Sequence, residues 1–157
     1  MRKQWSYFLS MEMNKQYSKA QQVRESSVGW MLKRLGANLD AAIGEELKNL
    51  GLGLGEFTIL MTLLEEEGLT QAGIGKKIVM PGYATTRNID ALEAKELVQR
   101  RKDKQSRRNY RIFLTTQGQQ QSAELFEIVK AINEALLEPL GKTERAQLVR
   151  ILNKLLS

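Results

Sequence analysis

The stretch RRKDKQSRRNYR, residues 100 to 111, places seven Lys or Arg side chains among twelve residues, with Asp103 the single acid. Its net charge of +6 equals the excess of the whole chain, whose 157 residues include 24 basic and 18 acidic ones. Cations concentrated in this way suit a polyanion such as a phosphate backbone. A run of like charge also occurs on ordinary solvated faces, so the choice depends on the element that carries it. Covalent chemistry has far less to work with. The chain has no Cys and no His, which removes disulfides, thiolate nucleophiles, zinc sites of the Cys/His type and the commonest general base. No carboxylate cluster has metal-ligand spacing, and no nucleophile stands beside a base or a phosphate loop. Neither catalysis nor a cofactor is expected.

Upstream of the basic run, LTQAGIGKKI (69–78) has Thr70 placed as an N-cap and Leu69, Ile74 and Ile78 as a buried side. After the turn VMPGY a further helix runs to about Lys95. Two short helices across a tight Gly-containing turn form a helix-turn-helix pattern. In the second, Thr85, Ile89 and Leu92 share a core face, which leaves Tyr83, Thr86, Arg87 and Asp90 together on the exposed one. The period then changes from 3.6 to 2. LVQRRK and NYRIFLT read as two strands, with Tyr110, Ile112 and Leu114 alternating against Arg111 and Phe113, and DKQSRR as the hairpin loop between them. Like charges crowded at a hairpin tip repel one another, and a phosphate backbone relieves that repulsion. The hairpin context favours the polyanion.

A helix fits the DNA major groove, and a basic hairpin beside it reaches the neighbouring minor groove. Arg87 is the candidate for a bidentate contact to guanine O6 and N7. Thr86 and Tyr83 are candidates for a base edge, a thymine methyl or a phosphate. Their competing readings are ordinary helix surface for Thr86 and a ring folded onto the Met80–Pro81 turn for Tyr83. Thr70 and Gln71, opening the first helix, and Arg101, Lys104, Arg107 and Arg108, from the hairpin, complete the DNA-binding set. Asp103 is assigned a structural role. It pairs with Arg107 or Arg108 to hold the loop in shape, leaving the other arginine for the minor groove.

The flanks need a separate explanation. Residues 1–25 are polar and basic with scattered aromatics and weak periodicity, an extension expected to order only against a partner. From Ser26 or Ser27 a long helix carries Val28, Leu32, Leu35, Leu39, Ile43, Leu47 and Leu50 on one stripe, and GLGLG (51–55) stops it. Phe57, Leu60, Met61 and Leu64 mark a second helix. Thr115 or Thr116 caps a long helix bearing Leu125, Val129, Ile132 and Leu136, which Glu138-Pro139 breaks. Thr143 caps a last one bearing Leu148, Ile151, Leu152 and Leu155. Three short helices and a hairpin cannot cover these stripes, so a second copy of the chain is expected to interleave with the first. A twofold dimer presents two recognition helices about one DNA turn (~34 Å) apart, matching a pseudo-palindrome. No signal-peptide core and no run of roughly 20 apolar residues is present; a cytoplasmic protein with no membrane partner is expected.

Taken together, Leu69-Thr70-Gln71, Thr86-Arg87, Leu92-Glu93, Leu97-Val98 with Arg100, Asp103 with Arg107-Arg108, and Leu114-Thr115 with Gly118 resemble the MarR/SlyA family of winged-helix transcriptional regulators. The resemblance covers roughly residues 27–157. It implies a mainly α fold with a small β-hairpin wing: a winged helix-turn-helix lobe at about 55–115, and long dimerisation helices at about 27–50 and 116–157. A single domain over 26–157 then follows an extension at 1–25. The resemblance departs at PGYA (81–84), where small polar residues are usual, at Gly73 and Gly75, where helix formers are usual, and at Glu96, where Gly commonly closes the recognition helix.

The function implied is a homodimeric, sequence-specific regulator of transcription, in the sense of a repressor, binding double-stranded DNA. In the family such regulators are often released by a small aromatic or anionic effector in a crevice beside the dimerisation helices. Trp30, Met31, Phe57 and Met61 are apolar candidates there, but residues at such spacing are more commonly core, and no ligand-binding residue is assigned. The alternative is a winged-helix dimer used for protein contacts or as a non-specific architectural DNA binder. The two Gly of the first helix and the PGYA opening would suit that reading; Thr86-Arg87 and the charged wing stand against it.

Overall fold

The computed structural model describes residues 18–103 and 109–157. The chain divides at Ala41–Ala42 into two compact units. In the first, residues 18–26 form helix α1, although weak periodicity predicts no independent order there. The segment is rich in helix-forming Lys, Ala, Gln and Arg, and the Gln21 amide donates to Glu25 at 2.8 Å one turn on. Helix α2 (Val28–Asn49) starts at Ser27, whose hydroxyl accepts from the Trp30 N–H at 3.3 Å. Ser26 is not the cap, because its hydroxyl donates back to the Gln22 carbonyl at 2.8 Å. Val28, Trp30, Met31, Leu32 and Leu35 of α2 are exposed.

The second unit takes in the end of α2 and then α3 (Leu54–Glu65), β1 (Leu69–Thr70), α4 (Gln71–Lys77), α5 (Gly82–Ala94), β2 (Val98–Lys102), β3 (Tyr110–Leu114), α6 (Thr116–Leu137) and α7 (Lys142–Leu156). The sheet is antiparallel in the order β1-β3-β2. Its core joins Leu47, Leu60, Leu63, Ile74, Ile89, Leu92, Ile112 and Leu125. The apolar residues assigned to the inner face of α5 are all sealed, and Thr85 with them. In β3 the alternation holds for Ile112 and Leu114, but Tyr110 at its outer end is exposed. Strand β1 pairs Leu69 with Ile112 and Thr70 with Arg111. Two residues are too few to show a period, and the sequence reading assigned them to a helix start.

Several local choices correct the sequence reading. Glu96 has φ +58° and stands in the left-handed position that Gly usually fills. The bonds Glu96 N–H to Glu93 O at 2.9 Å and Leu97 N–H to Leu92 O at 3.0 Å close α5 around it, with buried Leu97 against the core. A C-cap therefore forms without Gly, at the cost of an L side chain in a crowded conformation. Gly75 has a packing reason. A Cβ there would stand 2.9 Å from the Thr85 hydroxyl and 3.1 Å from the Met80 carbonyl, so the close approach of α4 to α5 requires the missing side chain. Gly118 is stricter still, since a Cβ would lie 2.1 Å from the Leu97 carbonyl. At the start of α6, Thr115 is the cap, accepting from Gly118 N–H at 3.0 Å. Helix α7 is capped at Gly141, not Thr143, because the Glu144 carboxylate reaches back to accept the Gly141 N–H at 2.8 Å. Phe126 of α6 and Val149, Ile151 and Leu155 of α7 are exposed. Among the described residues no single helix is long and apolar enough to cross a membrane.

Candidate nucleic-acid interface

Helices α4 and α5 meet across residues 78–81, and the face of α5 away from the core carries the residues assigned to DNA. Tyr83 is 78% exposed, which removes the reading of its ring as folded onto the preceding turn. Arg87 is exposed and, among the described residues, makes no ion pair. Thr86 is half-buried. Its hydroxyl donates to the Gly82 carbonyl at 2.9 Å and accepts a short hydrogen bond from the Gln71 amide. Gln71 thus ties the head of α4 to the exposed face of α5. Thr70 accepts the Gly73 N–H at 3.1 Å as the N-cap of α4, so that hydroxyl is engaged within the helix-turn-helix.

Asp90, grouped with the exposed face, is not a bare carboxylate. The Arg100 guanidinium of β2 reaches across to it at 2.5 Å and, with its other nitrogen, makes a short bond to Glu93. Burial disfavours the charged guanidinium, but the hydrogen bonds it donates to Asp90 and Glu93, and their charges, outweigh it and hold Arg100 above the usual arginine range. The cluster fastens the wing to α5 and offsets one of its two carboxylate charges.

The wing is built with similar economy. Asp103 pairs with Arg111 at 2.9 Å, and Arg111 also donates to the Gly68 carbonyl at 2.8 Å. Its side chain is 7% exposed, which agrees with a structural role. Lys104, Arg107 and Arg108, including the pairing of Asp103 with one of those arginines, lie outside the described residues. Arg101 stacks its guanidinium 4.6 Å from the centre of the Phe113 ring, a cation–π contact that fixes the side chain and leaves its charge. The cations of the opening segment therefore divide. Arg100 and Arg111 are neutralised by carboxylates and position the hairpin, whereas Arg101 and Lys102 are exposed.

The sequence reading missed Arg100, Glu93 and Arg111 as positioning residues. For Arg111 a signal was present in the strand alternation, which puts it on the face of Phe113 and opposite Tyr110, Ile112 and Leu114, but the partners come from other elements. Lys95 was missed likewise. It binds buried Glu56 at 2.6 Å and the Gly51 carbonyl at 2.6 Å, joining the end of α5 to the start of α3. Of the apolar effector candidates, Trp30 and Met31 are exposed on α2, and Phe57 and Met61 pack partly buried against the core of the second unit.

Comparison with known proteins agrees with this geometry. The family model described as MarR family matches residues 52–110. The HTH-type transcriptional repressor Rv2887 of Mycobacterium tuberculosis is 28% identical over 131 residues, 83% of this chain and 94% of its own. A MarR transcriptional regulator from Methanosarcina mazei Go1 superposes with a TM-score of 0.79 at 26% identity, covering 82% of this chain and 93% of its own. The crystal structure of Rv2887 in complex with salicylic acid gives 0.70 at 28% identity, covering 83% and 96%. A winged helix-turn-helix lobe, and relatives that are transcriptional regulators over most of their length, lead to one conclusion: residues 52–110 match the MarR family, and the chain resembles MarR-family winged-helix transcriptional regulators over most of its length.

Proposed function

We propose that the chain is a cytoplasmic homodimeric repressor that reads a pseudo-palindromic operator in duplex DNA. Helix α5 enters the major groove and the β2–β3 wing lies against the minor groove. The observation that carries this reading is the exposed face of α5. Among the described residues Arg87 projects from it without an ion pair, while Asp90 beside it is held by Arg100, which also pairs with Glu93. Phosphate contacts from Arg101 and from Lys104, Arg107 and Arg108 supply affinity, and Arg87 supplies sequence preference. Dimerisation is supported by the exposed apolar residues of α2 and, separately, of α6 and α7, since large contiguous apolar faces in a soluble chain mark interfaces. Similarity to a family of regulators supports a role without catalysis. The salicylate complex of a relative supports a small aromatic carboxylate as effector, one that weakens DNA binding.

The test is binding of the full chain to its own upstream region at several salt concentrations. Specific binding should resist a large excess of bulk DNA. Arg87→Ala should lose about 1–3 kcal/mol of preference for the site, and Arg107→Ala/Arg108→Ala should flatten the salt dependence. If wild type prefers no site over bulk DNA, the operator reading fails and an architectural or protein-contact role replaces it.

A further inference from the structure

The turn before α5 holds an anomaly. Val79 has φ +54°, a left-handed conformation in which a β-branched side chain is a true outlier. It closes α4 in the same way that Glu96 closes α5, with Val79 N–H to Lys76 O at 3.4 Å and Met80 N–H to Gly75 O at 2.9 Å. Gly would fill that position without strain. Moreover, the Val79 side chain is 91% exposed, so burial does not compensate for the conformation. An apolar group held outward at a strained position on the edge of a recognition surface calls for a ligand that covers it.

The neighbouring side chains narrow the chemistry. Pro81 and Gly82 are exposed and offer no polar side chain. Tyr83 presents its ring. The Thr86 hydroxyl uses its one donor on Gly82 and accepts from Gln71, so what it has left for a base edge is chiefly its methyl. The Asn88 amide is engaged with the Ala84 carbonyl at 2.8 Å. Val79 also lines a hollow of about 560 Å³ at the head of the two helices, with Gln71, Lys76 and Gly82 on its wall. From residue 79 to Thr86 the side-chain surface is apolar, apart from the Tyr83 hydroxyl, and Arg87 follows it.

In the major groove the only apolar feature of a base edge is the thymine C5 methyl. Resting on the operator reading above, we infer that the opening of α5 reads thymine through its methyl, with Val79 and the Tyr83 ring as contact surfaces and the Thr86 methyl beside them. Each half-site then combines thymine, recognised apolarly at the head of α5, with guanine at Arg87 one turn along.

The experiment uses duplexes enriched by the full chain from a random pool, resynthesised with deoxyuridine in place of thymine, which deletes only the methyl. Wild type should lose about fourfold in affinity per contacted methyl. Val79→Gly should lose affinity for the thymine duplex, lose much of the sensitivity to deoxyuridine, and melt about 2–4 °C higher as the strain is relieved. Tyr83→Ala should reduce the same sensitivity without the rise in melting temperature. A residue with only a structural role would not weaken binding while raising stability. If no duplex is enriched, the operator reading itself fails. If a duplex is enriched but wild type binds its deoxyuridine form equally well, or Val79→Gly keeps full sensitivity, the methyl readout is wrong and the operator reading stands.

Discussion

In the winged lobe Leu60 and Leu63 of α3 and Ile89 and Leu92 of α5 are sealed, whereas Leu32 and Leu35 of α2 and Ile151 and Leu155 of α7, at helical spacing too, are 43–64% exposed. The two regions carry the same kind of apolar stripe with opposite outcomes. In the lobe, α3, α4, α5 and the sheet close over one another within one chain. On the terminal helices these residues meet no such cover among the described residues. An apolar period thus announces that a face will be buried, not what will bury it. The lobe is the self-sufficient part, and on the function proposed above the terminal helices are faces for a second copy.

The comparison can be broken first at its sealed end. Ile89→Ala, in the centre of the lobe, should destabilise by about 2–5 kcal/mol through lost burial and the cavity left behind. Chemical denaturation of the purified variant measures it, and a loss under 1 kcal/mol would mean that the lobe is not closed. At the open end, Ile151→Asp should leave the fold of the lobe intact while raising the dimer dissociation constant more than tenfold, since it buries an unpaired carboxylate at the interface. Sedimentation equilibrium separates this from unfolding.

Between these extremes lie residues that tie elements together. Arg100→Ala should cost about 1 kcal/mol of stability, because its partner Asp90 is 58% exposed and solvent screens the pair. DNA affinity should fall further than stability, as Asp90 regains a bare charge and the wing loses its anchor. Binding at low and high salt is the check; the deficit should shrink as salt rises. An effect of similar size has the opposite sign. Glu96→Gly should stabilise by about 1 kcal/mol by removing an L side chain from the left-handed cap, read as a small rise in melting temperature.

The helix-turn-helix, the hairpin and the inner face of α5 were legible in the sequence because each rests on a local period: Thr85, Ile89 and Leu92 at helical spacing, Ile112 and Leu114 at strand spacing. The exposed side of α5 followed by subtraction. What was not legible depends on tertiary partners. Arg100 and Arg111 look like Arg101 in the sequence, and only the positions of Asp90, Glu93 and Asp103 distinguish a neutralised cation from a free one. Strand β1 is two residues long and carries no period. Val79 and Glu96 violate the preference for Gly at left-handed caps, so turn chemistry gave no warning of either, and Gly141 caps α7 through the side chain of Glu144, three residues on.

The most direct test is the symmetry and spacing of the sites that the full chain enriches from a random pool of duplexes, with Arg87→Ala in parallel. The account predicts two inverted half-sites centred about 10–10.5 base pairs apart, bound by a dimer, and no such enrichment by Arg87→Ala. A single unrepeated half-site would contradict the dimer, an unchanged motif with Arg87→Ala would contradict the role of α5, and no enrichment over bulk DNA would contradict sequence-specific regulation altogether.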